Sequence, residues 1–210
     1  MNIIPVEYKW AKPLVKRRET NYIILHQRAG WGDVAGIHQL HLGFGYAGIG
    51  YNFYVRLDGS VYAGRPIDVQ GAHAENNNWQ SIGICAEGYY SLPPTGSAIK
   101  ASQINRVMPD AQRDSLARLV AHCRGLYPAA QVKRHSEINQ TACPGEFFPF
   151  DEIVWPAAGV AGGVRVVVRG KVISEARIIN DRTFVPVRDI ADALGATTAW
   201  DEATRTVTIS

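Results

Sequence analysis

The chain has little net charge, few cysteines and no long apolar run, and each scarcity closes off a class of function. Its 22 basic and 19 acidic side chains leave +3 over 210 residues. That field is too mild to argue for nucleic acid as a partner, although it is compatible with an anionic polymer. Three cysteines is an odd count. Cys85 and Cys123 each sit in an apolar pattern and read as buried free thiols. No apolar stretch approaches the ~20 residues that cross a bilayer, so no membrane insertion is expected. The N-terminus, Met1 to Trp10, lacks a basic segment followed by an apolar core. The expectation is a protein made in the cytoplasm without a signal peptide and not exported by the usual route. The glycine-rich run Gly43–Gly50 contains no basic residue and does not match a phosphate-binding loop. Apolar content of 46% is nonetheless ample for a packed core, and the length suits one medium domain plus a small one.

The chemically richest stretch runs from His135 to Gly145, His-Ser-Glu-Ile-Asn-Gln-Thr-Ala-Cys-Pro-Gly. It holds an imidazole and a thiol eight residues apart, with no helical periodicity between them. Pro144-Gly145 forces a turn directly after Cys143. Imidazole and thiolate both favour zinc and other borderline-soft metals. A catalytic zinc takes three protein ligands and keeps one open position, so a third ligand is required.

The surrounding pattern is that of alternating strands and helices. Asn21–Leu25 reads as a buried strand ending in His26. Asp33 is placed to cap a helix whose packing face is Val34, Ile37, Leu40 and His41. Tyr51–Leu57, Asp58-Gly59 and Ser60–Ala63 read as a hairpin. Ser81–Glu87 is another strand, with Ile82, Ile84 and Ala86 on one face and Gly83, Cys85 and Glu87 on the other. A helix opens at Pro109-Asp110, buries Leu116, Leu119, Val120 and Cys123, and stops at Gly125. Gln131–Arg134 is extended and delivers His135, whereas residues 1–20 read as irregular.

Composition changes after Trp155. Residues 157–163 are a Gly/Ala linker, and 164–210 form a small unit with strands, one helix ended by Gly195, and neither His nor Cys. The domain division is therefore 1–156, the linker 157–163, and 164–210.

Of the six histidines, His38 and His41 lie on a helix and are better read as packing residues, and His122 flanks an apolar stripe. His26 at a strand end and His73 in the loop Gly71-Ala-His-Ala compete for the third metal position on chemistry alone.

Taken in order, Tyr22–His26, His41, Gly48–Phe53, Asp58-Gly59, Gly71–His73, Ser81–Ile84 and His135…Thr141-Ala-Cys143-Pro-Gly resemble the zinc-dependent N-acetylmuramoyl-L-alanine amidases of type 2. That superfamily includes phage lysozyme-amidases and peptidoglycan recognition proteins. The resemblance covers roughly residues 20–150. It implies an α/β fold with a central mixed β-sheet flanked by helices. It also implies a Zn2+ cofactor held by His26, His135 and Cys143, with Tyr51 and Thr141 as catalytic residues. His73, Trp31 and Asn78 would bind substrate, and His41 would be structural. Where some members carry a glutamate base after Ser-Ile-Gly-Ile, this chain has Cys85, and Glu87 lies two residues too far along the strand to take that role.

The reaction implied is hydrolysis of the amide between the N-acetylmuramic acid lactyl group and L-alanine of peptidoglycan, with Tyr51 and Thr141 hydroxyls stabilising the oxyanion. Asn180–Arg188, Ala193–Ala196, Ala199–Asp201 and Thr206–Ile209 are similar to the stalk-like domain named after the N-terminal domain of copper amine oxidases. No copper ligands are present, and the similarity implies a small α+β domain that binds a cell-wall polymer. Together these features point to a phage or prophage endolysin, monomeric, released to the wall after a membrane hole opens. The alternatives are a non-catalytic peptidoglycan-binding recognition protein and a bacterial autolysin.

Overall fold

The structure is a computed structural model and describes residues 1–156, 166–173, 176–179, 182–202 and 204–210. The linker expected over 157–163, the first two residues of the tail unit and Asn180-Asp181 lie outside the described residues. Two compact units result, Met1–Val154 and Trp155–Ser210.

In the first unit six strands form one mixed sheet: β1 (Ile3–Ile4), β2 (Tyr22–Gln27), β3 (Phe53–Val55), β4 (Val61–Ala63), β5 (Ser81–Ala86) and β6 (Gln131–Arg134). Their order is β1-β4-β3-β5-β2-β6. Only β3 and β4 pair antiparallel, as the Asp58-Gly59 hairpin requires, with Tyr54 opposite Tyr62. Every other pairing is parallel. β5 lies between β3 and β2, which explains why all six of its residues are buried rather than alternating.

Helix α1 (Val34–Gly43) starts where Asp33 accepts the Gly36 N–H at 2.8 Å. Its inner residues Val34 and Ile37 join Ile49, Tyr54 and Cys85 in one apolar cluster. Leu40 is not among them. It is 48% exposed, and His38 is buried instead at 5%. Positions 34, 38 and 41 share a face at 3.6 residues per turn, and the N-terminal segment covers His38: Tyr8 stacks on its ring at 4.8 Å and Trp10 meets it edge-on at 5.6 Å. Residues 1–20 are thus partly ordered into the fold, including the two-residue strand β1 beside β4. Helix α2 (Asp110–Leu126) buries Leu116, Leu119, Val120 and Cys123, and it runs through Gly125 rather than stopping there. A short helix α3 (Phe150–Val154) packs on it. Among the described residues no helix is long and apolar enough to cross a membrane.

The second unit contains hairpins β7/β8 (Val166–Val168, Lys171–Ile173), β9/β10 (Arg177–Ile179, Arg182–Phe184) and β11/β12 (Thr198–Asp201, Thr206–Ile209) around helix α4 (Val187–Leu194). Gly195 closes α4 in the left-handed conformation. Ile173, Ala176 and Ala191 are buried, while Phe184, Trp200, Val207 and Ile209 are exposed.

Candidate metal centre

Parallel pairing assembles the site. In the register of β2 and β6, Leu25 lies opposite Arg134, so the next residues along the two strands, His26 and His135, emerge together at the carboxyl end of the sheet. Their rings are 4.4 Å apart between centroids. A cis peptide joins Cys143 to Pro144. The turn is tied back by the Ser136 N–H donating to the Cys143 carbonyl at 2.8 Å and the Cys143 N–H donating to Thr141 Oγ1 at 3.2 Å. Cys143 Sγ then lies 3.7 Å from His26 Nδ1 and accepts the Gln27 N–H at 3.4 Å.

His26, His135 and Cys143 each offer one ligand atom, and these atoms lie within 4.8 Å of one another. Tetrahedral zinc with Zn–N near 2.05 Å and Zn–S near 2.3 Å separates N and S donors by about 3.6 Å, close to the 3.7 Å found between His26 and Cys143. The other ring nitrogen of each imidazole is engaged by a protein side chain. His135 Nε2 meets Asn139 Oδ1 at 3.2 Å, leaving its Nδ1 free, and Asn139 is itself fixed by donating to the Glu75 carbonyl at 3.2 Å. His26 Nε2 meets His73 Nδ1 at 3.0 Å. The donor set fits zinc.

Electrostatics agree with that chemistry. Burial holds His26 well below its ordinary pKa, with His73 and His135 adding to the effect, and burial also lowers His135. Both imidazoles are therefore neutral, the form that ligates. Burial pushes the Cys143 thiol up to about 12, against the pull of the Gln27 N–H, so an isolated thiolate here is costly and a cation would compensate it.

A cleft of about 760 Å³ opens at the site, and its lining includes His135, Tyr51, His73, Thr141, Asn78 and Asn139. Tyr51 packs its ring 5.2 Å from that of His26. Burial raises the Tyr51 hydroxyl well above its ordinary pKa, with Cys85 and Cys143 adding to the effect. Asn78 lines the cleft while its Oδ1 accepts from the His73 and Ala74 N–H groups at 2.8 and 3.1 Å. Trp31 is 38% exposed and is not part of the cleft lining. His41 is buried and accepts the Gly50 N–H at 2.8 Å, and burial lowers it to about 4.

Glu87 is fully engaged elsewhere. Its carboxylate accepts from Gly32 N–H at 2.8 Å and Leu57 N–H at 3.1 Å, and it pairs with Arg56 Nε at 3.1 Å. Residues that sequence reasoning did not single out are Asn139, which orients His135, and Phe44 and Tyr46, which add aromatic surface to the cleft. Asn139 carried one readable signal, its position four residues after His135.

Residues 16–146 match the family described as N-acetylmuramoyl-L-alanine amidase, and 167–210 match the copper amine oxidase N-terminal domain. An endolysin of Enterobacteria phage K11 is 32% identical over 148 residues, 69% of this chain and 90% of the phage protein. The peptidoglycan-recognition protein SC2 of Drosophila melanogaster is 32% identical over 60% of this chain and 68% of its own length. Among solved structures, the N-acetylmuramoyl-L-alanine amidase LysC of Clostridium intestinale superposes with a TM-score of 0.64 at 34% identity, covering 73% of this chain and 95% of that one.

Proposed function

The chain belongs to the N-acetylmuramoyl-L-alanine amidase family, and from that premise we propose that it is a zinc-dependent peptidoglycan hydrolase of the endolysin type. It cleaves the amide between the lactyl group of N-acetylmuramic acid and L-alanine. The observation that carries this reading is the open three-ligand cluster: His26, His135 and Cys143 converge within 4.8 Å beside a cleft, and no fourth His, Cys, Asp or Glu joins them among the described residues. A structural zinc is normally closed by four protein ligands, whereas a catalytic one keeps a position free.

A zinc ion held there supplies Lewis acidity and lowers the pKa of water from 15.7 toward ~7. The protein supplies the rest. The cleft holds the glycan-peptide so that the scissile carbonyl faces the Tyr51 and Thr141 hydroxyls. As that oxygen takes up negative charge, both hydroxyls donate to it. Because its pKa lies well above 10, Tyr51 keeps its proton across the working range and remains a donor. Asn139 fixes His135 in the tautomer that leaves Nδ1 free. Glu87, committed to Arg56 and two backbone N–H groups, takes no part in proton transfer.

The second unit is assigned to wall attachment, an assignment supported by its exposed Phe184, Trp200, Val207 and Ile209. One chain carries the whole cluster, which supports a monomeric working unit. The setting is that of an endolysin made in the cytoplasm and acting on the wall after release. The experiment is zinc stoichiometry and hydrolysis of purified sacculi by wild type and Cys143→Ala. Wild type binds one zinc per chain and releases amino termini, and Cys143→Ala loses both. A Cys143→Ala chain that keeps zinc and activity overturns the proposal.

A further inference from the structure

His73 has one ring nitrogen on a metal-ligand candidate and the other without an acceptor at hydrogen-bonding geometry. Its Nδ1 lies 3.0 Å from His26 Nε2, and its Nε2 is buried with no such partner among the described residues. The Ser81 backbone still acts on the ring by favouring its protonated form, against the larger effect of burial. Leaving a buried polar atom unsatisfied is costly. A residue present only to fill space would be apolar.

The slot that holds the ring is built for it. A Cβ at Gly71 would lie 2.2 Å from His73 Cδ2, and one at Gly83 would lie 2.4 Å from the same atom. Asn78 clamps the backbone from outside by accepting the N–H groups of His73 and Ala74. The imidazole is thus fixed on two glycines, with 79° between its plane and that of His26.

The pair has two neutral arrangements. In one, His26 carries its proton on Nε2, donates it to His73 Nδ1, and leaves its own Nδ1 bare toward Cys143. In the other, His73 Nδ1 donates to His26 Nε2, and the His26 proton moves to Nδ1, into the ligand position. Only the first binds a metal. The first also puts the His73 proton on Nε2.

We propose that His73 is a positioning residue for the metal centre: its bare Nδ1 accepts the His26 Nε2–H and holds His26 in the ligating tautomer. Metal-bound histidines usually give that proton to a carboxylate, a backbone carbonyl or water. Here the acceptor is a neutral imidazole, which orients the ligand without adding a negative charge. The inference rests on reading His26, His135 and Cys143 as a zinc site, and it deepens that reading.

The test measures zinc affinity by competition with a chelator, without substrate, on wild type, His73→Leu and His73→Asn. Loss of the acceptor in His73→Leu weakens zinc binding by about 10–100-fold, the usual effect of losing such a partner. Asn places its Oδ1 near where Nδ1 stood, so His73→Asn recovers most of that loss. Equal zinc affinity in all three overturns the inference. So does a loss of equal size in both variants, which would mean that the slot rather than the acceptor matters. A raised KM with unchanged zinc affinity would place His73 on the substrate instead, again overturning it. Should His73→Leu fail to fold, histidine-selective 15N NMR on the zinc-loaded wild type decides: the expected His73 spectrum shows a protonated Nε2 and a bare Nδ1, and a protonated Nδ1 refutes the role. A wild-type chain that binds no zinc sinks the metal reading itself, and this inference with it.

Discussion

Gly83→Ala gives the sharpest prediction about how the centre is supported. Gly83 lies in β5, directly against the His73 ring. An added Cβ would stand 2.4 Å from Cδ2, 2.6 Å from Cγ and 2.7 Å from Nε2 of that ring, where ordinary contact begins at 3.4 Å. Relief therefore requires a displacement of about 1 Å. β5 is pinned on both sides by parallel strands, and the His73 backbone is clamped by Asn78, so the ring moves. A 1 Å shift takes the 3.0 Å contact to His26 Nε2 out of bonding range. Overpacking costs ~1–3 kcal/mol and the lost hydrogen bond ~0.5–1.5 kcal/mol. In a unit of this size each kcal/mol lowers Tm by ~2–4 °C. The Tm followed by circular dichroism should fall by roughly 3–18 °C, and zinc affinity should fall about tenfold or more. Removing the ring makes room, so Gly83→Ala combined with His73→Ala should be less destabilised than the sum of the single changes, by ~0.5–3 kcal/mol. Strict additivity, or a Gly83→Ala chain with wild-type Tm and zinc affinity, would refute the argument that this glycine exists to seat the imidazole.

Other outcomes follow from the same geometry. Tyr51→Phe removes one oxyanion donor and should lower turnover of defined muropeptides ~10²–10³-fold, with zinc affinity unchanged; full turnover would reduce Tyr51 to a packing residue. Truncation after residue 156 should weaken retention on sacculi in a sedimentation assay while hydrolysis of small soluble muropeptides continues, and equal retention would remove the wall-binding assignment. Asp33→Ala removes the cap of α1 and should cost ~0.5–2 kcal/mol in urea unfolding, an effect that a fully exposed, unused side chain would not produce.

Local signals in the sequence were enough for the strands carrying Ile23–Leu25 and Ile82–Ile84, for the Asp58-Gly59 hairpin and for the Asp33 cap, because each depends on residues close in the chain. Pairings between distant segments were not legible. The register that puts Leu25 opposite Arg134 links residues more than a hundred positions apart. It alone explains why His26 and His135 end side by side. Leu40 was expected inside because an apolar residue at helical spacing reads as core, but Tyr8 and Trp10 cover His38 from outside the helix. His26 and His73 competed on chemistry for one ligand position, and the structure shows why they were hard to separate: they are hydrogen-bonded neighbours. The role of Asn78 lies in contacts to backbone N–H groups, which no pattern of side-chain types announces, and that of Asn139 was signalled only by its place four residues after His135.

The central claim is that a zinc centre of two imidazoles and one thiolate cuts the bond between muramic acid and L-alanine. The most direct test is mass spectrometry of a defined muropeptide digested by the full chain, before and after removal of metal with a chelator. The account predicts free lactyl-sugar and a peptide with L-alanine at its new amino terminus, no products after chelation, and recovery on adding about one equivalent of zinc. Cleavage at any other bond, or undiminished cleavage of the same bond by metal-free protein, would contradict it.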